Sequence, residues 1–316
     1  MLEIRNLTVD YMTRRGRIRA VNDVSLSIMD SEIVGLVGES GSGKSTLGYA
    51  ILRLVPPPGI IKSGRILLNG VDLLGLSEDE INRIRGKDIS MVLQDPMTSL
   101  DPLMRVGDQL LETIVAHENI GKEEAREKAV KLLEAVGIKA DRFNDYPHQL
   151  SGGMRQRIMI AMAIALDPKL VIADEPTTAL DVIVQDQIVE LFKELRSKIG
   201  MSLLIISHDI SLILEISDKV GVMYGGELME FSPSDEIIRE PLNPYTQELL
   251  KAVPNIELDD KTLKFIPGDP PDLLNPPMGC MFHPRCPRAM DICRKDKPPT
   301  LVVDGKHVKC WLYSEG

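Results

Sequence analysis

Apolar and polar positions change period several times along the chain, and each change marks an element. Leu2-Glu3-Ile4-Arg5-Asn6-Leu7-Thr8-Val9 alternates in steps of two, which predicts a half-exposed strand. Val24 to Ile28 alternates again, and the basic stretch Thr13-Arg14-Arg15-Gly16-Arg17 between them reads as a solvated hairpin tip. Ile33 to Val37 is apolar without interruption, the pattern of a strand buried on both faces. Gly64 to Gly70, Ile89 to Leu93, Leu170 to Ala173 and Leu203 to Ile206 are further strand candidates. From Val106 to Ala165 the pattern turns helical: Ala125, Ala129, Leu132 and Val136 recur at three and four, and Gly137 stands where a C-cap glycine belongs. Ile188, Leu191 and Leu195 mark one face of a later helix. Strands alternating with helices predict an α/β fold with a mostly parallel sheet, an antiparallel β part at the N-terminus and a helical subdomain inserted at about 95–165.

The buried-strand run meets Gly38-Glu39-Ser40-Gly41-Ser42-Gly43-Lys44-Ser45, followed by Thr46, and the first eight fit G-x-x-x-x-G-K-[ST] between a strand and a helix. Three glycines let the backbone turn and point successive N–H groups inward, which with the helix N-terminus makes a cradle for phosphate oxygens. Lys44 is placed to reach the terminal phosphates of a nucleoside triphosphate and Ser45 to hold Mg2+. Leu170 to Ala173 ends in Asp174-Glu175, which after a phosphate loop suggests a magnesium partner and a water-orienting base, or else acids at a helix start. His208 stands at another strand end, where α/β sites are built.

The formal net charge of −10 over 316 residues argues against a nucleic-acid partner held by phosphate contacts. No apolar run reaches the roughly 18 residues of a membrane span, and the N-terminus lacks a signal-peptide core, so a cytosolic chain is expected. All four cysteines, Cys280, Cys286, Cys293 and Cys310, fall in a Pro-rich tail after residue 257. Four thiolates suit a [4Fe–4S] cluster or a tetrahedral zinc, the latter with His283 or His307 as further ligands; buried free thiols or disulfides are the other readings. The spacings lack the short zinc knuckle, which favours iron–sulfur. Because the phosphate loop lies elsewhere in the chain, loss of Cys286 is expected to leave ATP binding largely intact.

Leu150-Ser151-Gly152-Gly153-Met154 looks like the LSGGQ signature, with Met154 in place of its glutamine. With the phosphate loop, it makes residues 1 to about 250 resemble the ATP-binding subunit of an ABC transporter. The resemblance implies that Ser151, Gly152 and Gly153 act on ATP held by the opposite subunit, and that Tyr11 stacks on adenine. It further implies that Gln94 coordinates magnesium with Asp174, that Glu175 is the general base, that His208 is the switch histidine and that Asp181 lies in the loop crossing to the partner. Gln94-Asp95-Pro96-Met97-Thr98-Ser99-Leu100-Asp101-Pro102, Asn243-Pro244-Tyr245-Thr246 and the tail are similar to the oligopeptide, dipeptide and nickel importer branch, some of whose members carry a cluster on the tail. The implied division is an ATP-binding domain, 1–256, and a cysteine-containing tail, 257–316. The implied role is ATP hydrolysis driving uptake of di- or oligopeptides at the cytoplasmic face of the membrane. The implied partners are a second ATP-binding subunit, two permeases and a solute-binding protein. Nickel or oligosaccharide uptake, or a soluble ABC ATPase, are the alternatives.

Overall fold

Leu2–Thr13 and Gly16–Ile28 pair as the antiparallel hairpin that their alternation predicts, with Thr13 opposite Gly16 at the basic tip. The hairpin opens a computed structural model that describes residues 1–252 and 265–314. The described chain divides into two compact units. One holds Met1–Met29, Ile33–Leu76 and the described part of Ile206–Gly316, and the other holds Asp30–Glu32 and Ser77–Ile205. The sequence-derived boundary between 256 and 257 lies outside the described residues.

In the first unit, Gly59–Leu68 and Val71–Asp72 join the hairpin in a four-stranded antiparallel sheet. Its buried residues include Leu2, Ile4, Val24, Leu26 and Ile28, the apolar positions of the alternating pattern. Ile33–Val37 lies parallel to Lys219–Tyr224, which pairs antiparallel with Glu227–Pro233. Beyond that strand come two from the cysteine-rich tail, Lys306–Lys309 and Thr300–Val303. The tail thus extends the sheet that carries the phosphate loop. Ile33, Val34, Leu36 and Val37 are fully buried, and each such aliphatic side chain contributes about 1.5–3 kcal/mol. Gly35 interrupts them because helix Ile210–Ile216 packs there: a Cβ would collide with Ile213 and Ser217.

Asn243 fastens this region from its centre. Its side chain caps helix Pro244–Lys251 by accepting from Tyr245 N–H at 2.9 Å. The same amide donates to the carbonyls of Met229 (3.2 Å) and Lys309 (3.1 Å), so one buried side chain ties the helix start to a central strand and a tail strand. Pro244 follows at the first helical position, where its missing N–H costs nothing. Burial raises the Glu230 carboxyl, which accepts from the N–H groups of Leu242 and Asn243 at 2.8 and 2.9 Å.

In the second unit, Ile89–Val92 lies parallel to Leu170–Asp174. Helices Val106–Val115, Lys122–Ala135 and Gly152–Ile164 occupy the stretch where the helical period runs. On Lys122–Ala135 the buried row is Ala125, Ala129 and Leu133, which leaves Leu132 half-buried at its margin; the spacing assigned Leu132 to the face instead. Gly137 has φ 75°, and its N–H and that of Ile138 return to the carbonyls of Glu134 and Leu133, the predicted glycine stop. Among the described residues no helix is long and apolar enough to cross a membrane.

Candidate functional site

The phosphate loop is built mainly from backbone. Strand Ile33–Val37 ends at Gly38 and helix Lys44–Ile51 starts at Lys44. Gly38 (φ 153°) and Gly43 (φ 101°) adopt positive φ, and a Cβ on either would collide with a carbonyl oxygen, that of Met223 or of Ala20. Both positions therefore exclude every other residue type on two counts, space and conformation. The N-cap is Gly43, which has no side chain to occupy the first N–H groups of the helix, the groups that bind anions. Lys44 folds over the loop and is 5% exposed. Its Nζ donates to Gly38 O at 2.7 Å, Glu39 O at 3.1 Å and Ser42 Oγ at 3.4 Å. Tyr11 Oη lies 3.4 Å from Thr46 Oγ1, which brings this ring beside the loop. His208 follows strand Ser202–Ser207 and is exposed, and Asp209 after it caps helix Ile210–Ile216 by accepting from Ser211 and Leu212 N–H.

The second unit holds the acids and the signature. Asp174 ends strand Leu170–Asp174 and is 1% exposed. Glu175 follows in positive-φ backbone (50°), a conformation that non-glycine residues rarely hold and that clusters at functional sites. Thr178 Oγ1 donates to its carboxylate at 2.7 Å. Gln94 is exposed just past strand Ile89–Val92. Ser151 is the N-cap of helix Gly152–Ile164 and accepts from Met154 N–H at 3.3 Å, so the signature is a helix start. Gly153 packs so closely on Val184 that a Cβ would sit 2.6 Å from its Cγ1. Asp181 caps helix Val182–Ile199 by accepting from Val184 N–H at 3.0 Å. The signature glycines and the Asp181 loop are therefore neighbours within this unit.

In the tail, Cys280, Cys286, Cys293 and Cys310 all line one small, partly open cavity. Gly279, at φ 72°, brings the backbone in so tightly that a Cβ would collide with Cys293 O, and Cys280 N–H donates to that carbonyl at 2.8 Å. Arg288 and Lys309 also line the cavity, and their charge suits a group rich in thiolates. Burial pushes the Cys280 thiol up to about 12 and Cys310 to about 11, and raises Cys286, so at neutral pH a metal must displace their protons. The residue types, four thiols along one cavity, are those of a four-thiolate centre. Among the described residues, however, no three His, Cys, Asp or Glu side chains stand in a metal-holding arrangement. His283 lines the same cavity, its Nδ1 2.9 Å from Cys280 O. His307 does not: it stacks edge-on to Phe231 and lines a different cavity with Asn6 and Asp23, which removes it from the zinc alternative.

Sequence reasoning missed Arg285 and the aromatic hydroxyls beside it. Arg285 reaches back to the phosphate loop and pairs with Glu39 through two bonds, Nη1 to Oε2 at 2.7 Å and Nη2 to Oε1 at 2.9 Å. Tyr245 Oη accepts from Glu39 N–H at 3.1 Å. Burial raises both Tyr224 and Tyr245, so their hydroxyls stay neutral. Tyr224, Tyr245 and Phe282 pack as a trio with ring centroids 4.6–5.2 Å apart. Cys286 directly follows the residue that holds Glu39, so tail and phosphate loop are joined through this ion pair. The partners stand 246 positions apart in sequence, and a lone arginine in a Pro-rich tail carries no periodic signal.

Residues 21–178 match the family model described as ABC transporter, and residues 229–293 match the oligopeptide/dipeptide transporter C-terminal region. An oligopeptide transport ATP-binding protein, OppD of Bacillus subtilis, is 48% identical over 99% of this chain and 88% of its own length. A dipeptide transport ATP-binding protein, DppD of Caldanaerobacter subterraneus subsp. tengcongensis, is 44% identical over 100% and 98%. Among solved structures, the dimeric post-hydrolysis state of the ATP-binding cassette MJ0796, bound to ADP and Pi, superposes with a TM-score of 0.67 at 30% identity. It covers 74% of this chain and 99% of its own.

Proposed function

The chain belongs to the ATP-binding subunits of ABC transporters, and from that membership we propose that it is the ATP-hydrolysing motor of an importer of di- or oligopeptides. The observation that carries this reading is full-length similarity to peptide-transport subunits, together with a phosphate loop whose glycines and Lys44 have the required backbone geometry. ATP with Mg2+ is the substrate complex. The loop N–H groups and Lys44 bind the β- and γ-phosphates, Ser45, Gln94 and Asp174 hold Mg2+, and Tyr11 stacks on adenine. Glu175 takes the proton of the attacking water while His208 orients the γ-phosphate. Ser151, Gly152 and Gly153 contact the ATP held by a second ATP-binding subunit, and Asp181 lies in the crossing loop. Each cassette then carries half of two sites, so hydrolysis rises steeply with protein concentration.

Two permeases anchor the pair at the cytoplasmic face of the membrane, and a solute-binding protein delivers the peptide. The division into an ATP-binding domain, 1–256, and a tail, 257–316, is part of this reading. So is a [4Fe–4S] cluster held by Cys280, Cys286, Cys293 and Cys310, with zinc as the alternative; such a cluster would staple the tail. The test is reconstitution with permeases and binding protein in proteoliposomes. ATPase activity stimulated by peptides supports the reading, stimulation by nickel complexes or oligosaccharides reassigns the solute, and full activity in a stable monomer overturns the two-cassette site.

A further inference from the structure

We propose that Arg285 is a positioning residue for ATP binding, resting on the nucleotide-binding reading of the phosphate loop: from the tail it neutralises and fixes Glu39, and through Glu39 the loop segment that holds Lys44.

A guanidinium has five N–H donors in a rigid fork. Here each has an acceptor. Nε donates to Pro267 O at 2.9 Å, Nη1 to Glu39 Oε2 and Tyr224 Oη, and Nη2 to Glu39 Oε1 and Ile266 O. The Arg285 side chain is 6% exposed and that of Glu39 25%, so the pair is largely shielded from water. Two tail carbonyls and a tyrosine aim the fork, and its open side points at one residue of the phosphate loop. A lysine, with three rotatable donors on a point charge, cannot reproduce the arrangement.

Glu39 is held at three places. Its carboxylate meets Arg285, its N–H donates to Tyr245 Oη, and its carbonyl accepts from Lys44 Nζ at 3.1 Å and from Ser42 N–H at 3.2 Å. Its position in G-x-x-x-x-G-K-[ST] demands no particular side chain. A carboxylate there adds negative charge beside a site that must receive a polyphosphate, and like charges repel most strongly where water is excluded. Arg285 removes that repulsion and turns the carboxylate into an anchor.

The experiment is titration of the full chain with a fluorescent ATP analogue and Mg2+, alongside steady-state kinetics and thermal melting. Wild-type binding is the control: its absence sinks the nucleotide reading, independently of Arg285. Arg285→Ala is expected to weaken ATP binding roughly tenfold, the scale of one lost charge-assisted bidentate contact, while kcat at saturating ATP falls by much less. Adding Glu39→Gln to Arg285→Ala removes the unpaired charge and is expected to recover most of the affinity, a rescue that a purely structural arginine would not allow. Unchanged affinity in a folded Arg285→Ala protein, or a double variant weaker than the single, overturns the proposal. If Arg285→Ala fails to fold, Arg285→Lys decides in its place: weakened binding with a wild-type melting temperature supports the brace, and wild-type affinity overturns it.

Discussion

The phosphate loop and the cysteine cavity belong to the same compact unit and hold their chemistry in opposite ways. The loop works with backbone. Its identity lies in consecutive residues, Gly38 to Lys44, and its glycines are fixed by collisions a Cβ would make with two carbonyls. The cavity works with side chains. Its wall gathers Met229, Asn243, Cys280 to Cys293 and Lys309 to Leu312, which only the sheet pairing of the tail brings together. A backbone site is complete once its local turn is made. A side-chain site waits for the whole topology, and its thiols, raised by burial, wait further for a partner that can displace their protons.

The largest expected effect separates nucleotide chemistry from the cavity altogether. Glu175→Gln keeps the volume of the side chain and removes the base, so turnover should fall by roughly 10²-fold or more while ATP still binds and tail metal content is unchanged. The measurements are single-turnover hydrolysis and metal analysis of one preparation. Normal hydrolysis would remove Glu175 from the mechanism.

Gly38→Ala tests whether the loop depends on backbone as argued. The added Cβ meets the Met223 carbonyl in a positive-φ conformation, so ATP affinity should fall about tenfold or more and stability by about 1–3 kcal/mol. Thermal melting and titration check the two numbers. A neutral result would mean that the loop relaxes freely.

Cys286→Ser makes the smallest change in ATP affinity and the sharpest test of the contrast. An anaerobic preparation of the wild type should be brown with about four irons per chain, and the variant should be colourless with a protease-sensitive tail. A colourless wild type with stoichiometric zinc would favour the zinc alternative. Since Arg285 precedes Cys286 in the chain, ATP affinity should shift only a few-fold, less than in Arg285→Ala. A loss as large as that of Arg285→Ala would mean that the two regions behave as one site.

This contrast also explains what the sequence made legible. Uninterrupted Ile33 to Val37 announced the buried strand, and the glycines after it announced the turn, because strand, turn and helix start are each set by neighbours in sequence. Ser151 and Asp181 were singled out by resemblance to family motifs, and each caps the helix that follows it. The cysteines could be counted but not arranged, and His307 was grouped with them although its strand carries it to another cavity. Leu132 and Leu133 exchanged places because an ideal spacing does not say where a helix face drifts. Arg285 and Tyr245 were invisible as partners of Glu39, since ring and guanidinium contacts across more than 200 residues leave no local pattern.

The tail strands have a consequence for how the protein is made. Glu227–Pro233 gains a neighbour on its outer side only when Lys306–Lys309, which is made well after it, arrives. Until then a growing chain presents an open strand edge and a phosphate loop whose Glu39 still lacks Arg285. Prematurely terminated chains should therefore aggregate through that edge rather than compete for ATP, so that synthesis errors are discarded before they can occupy a transporter.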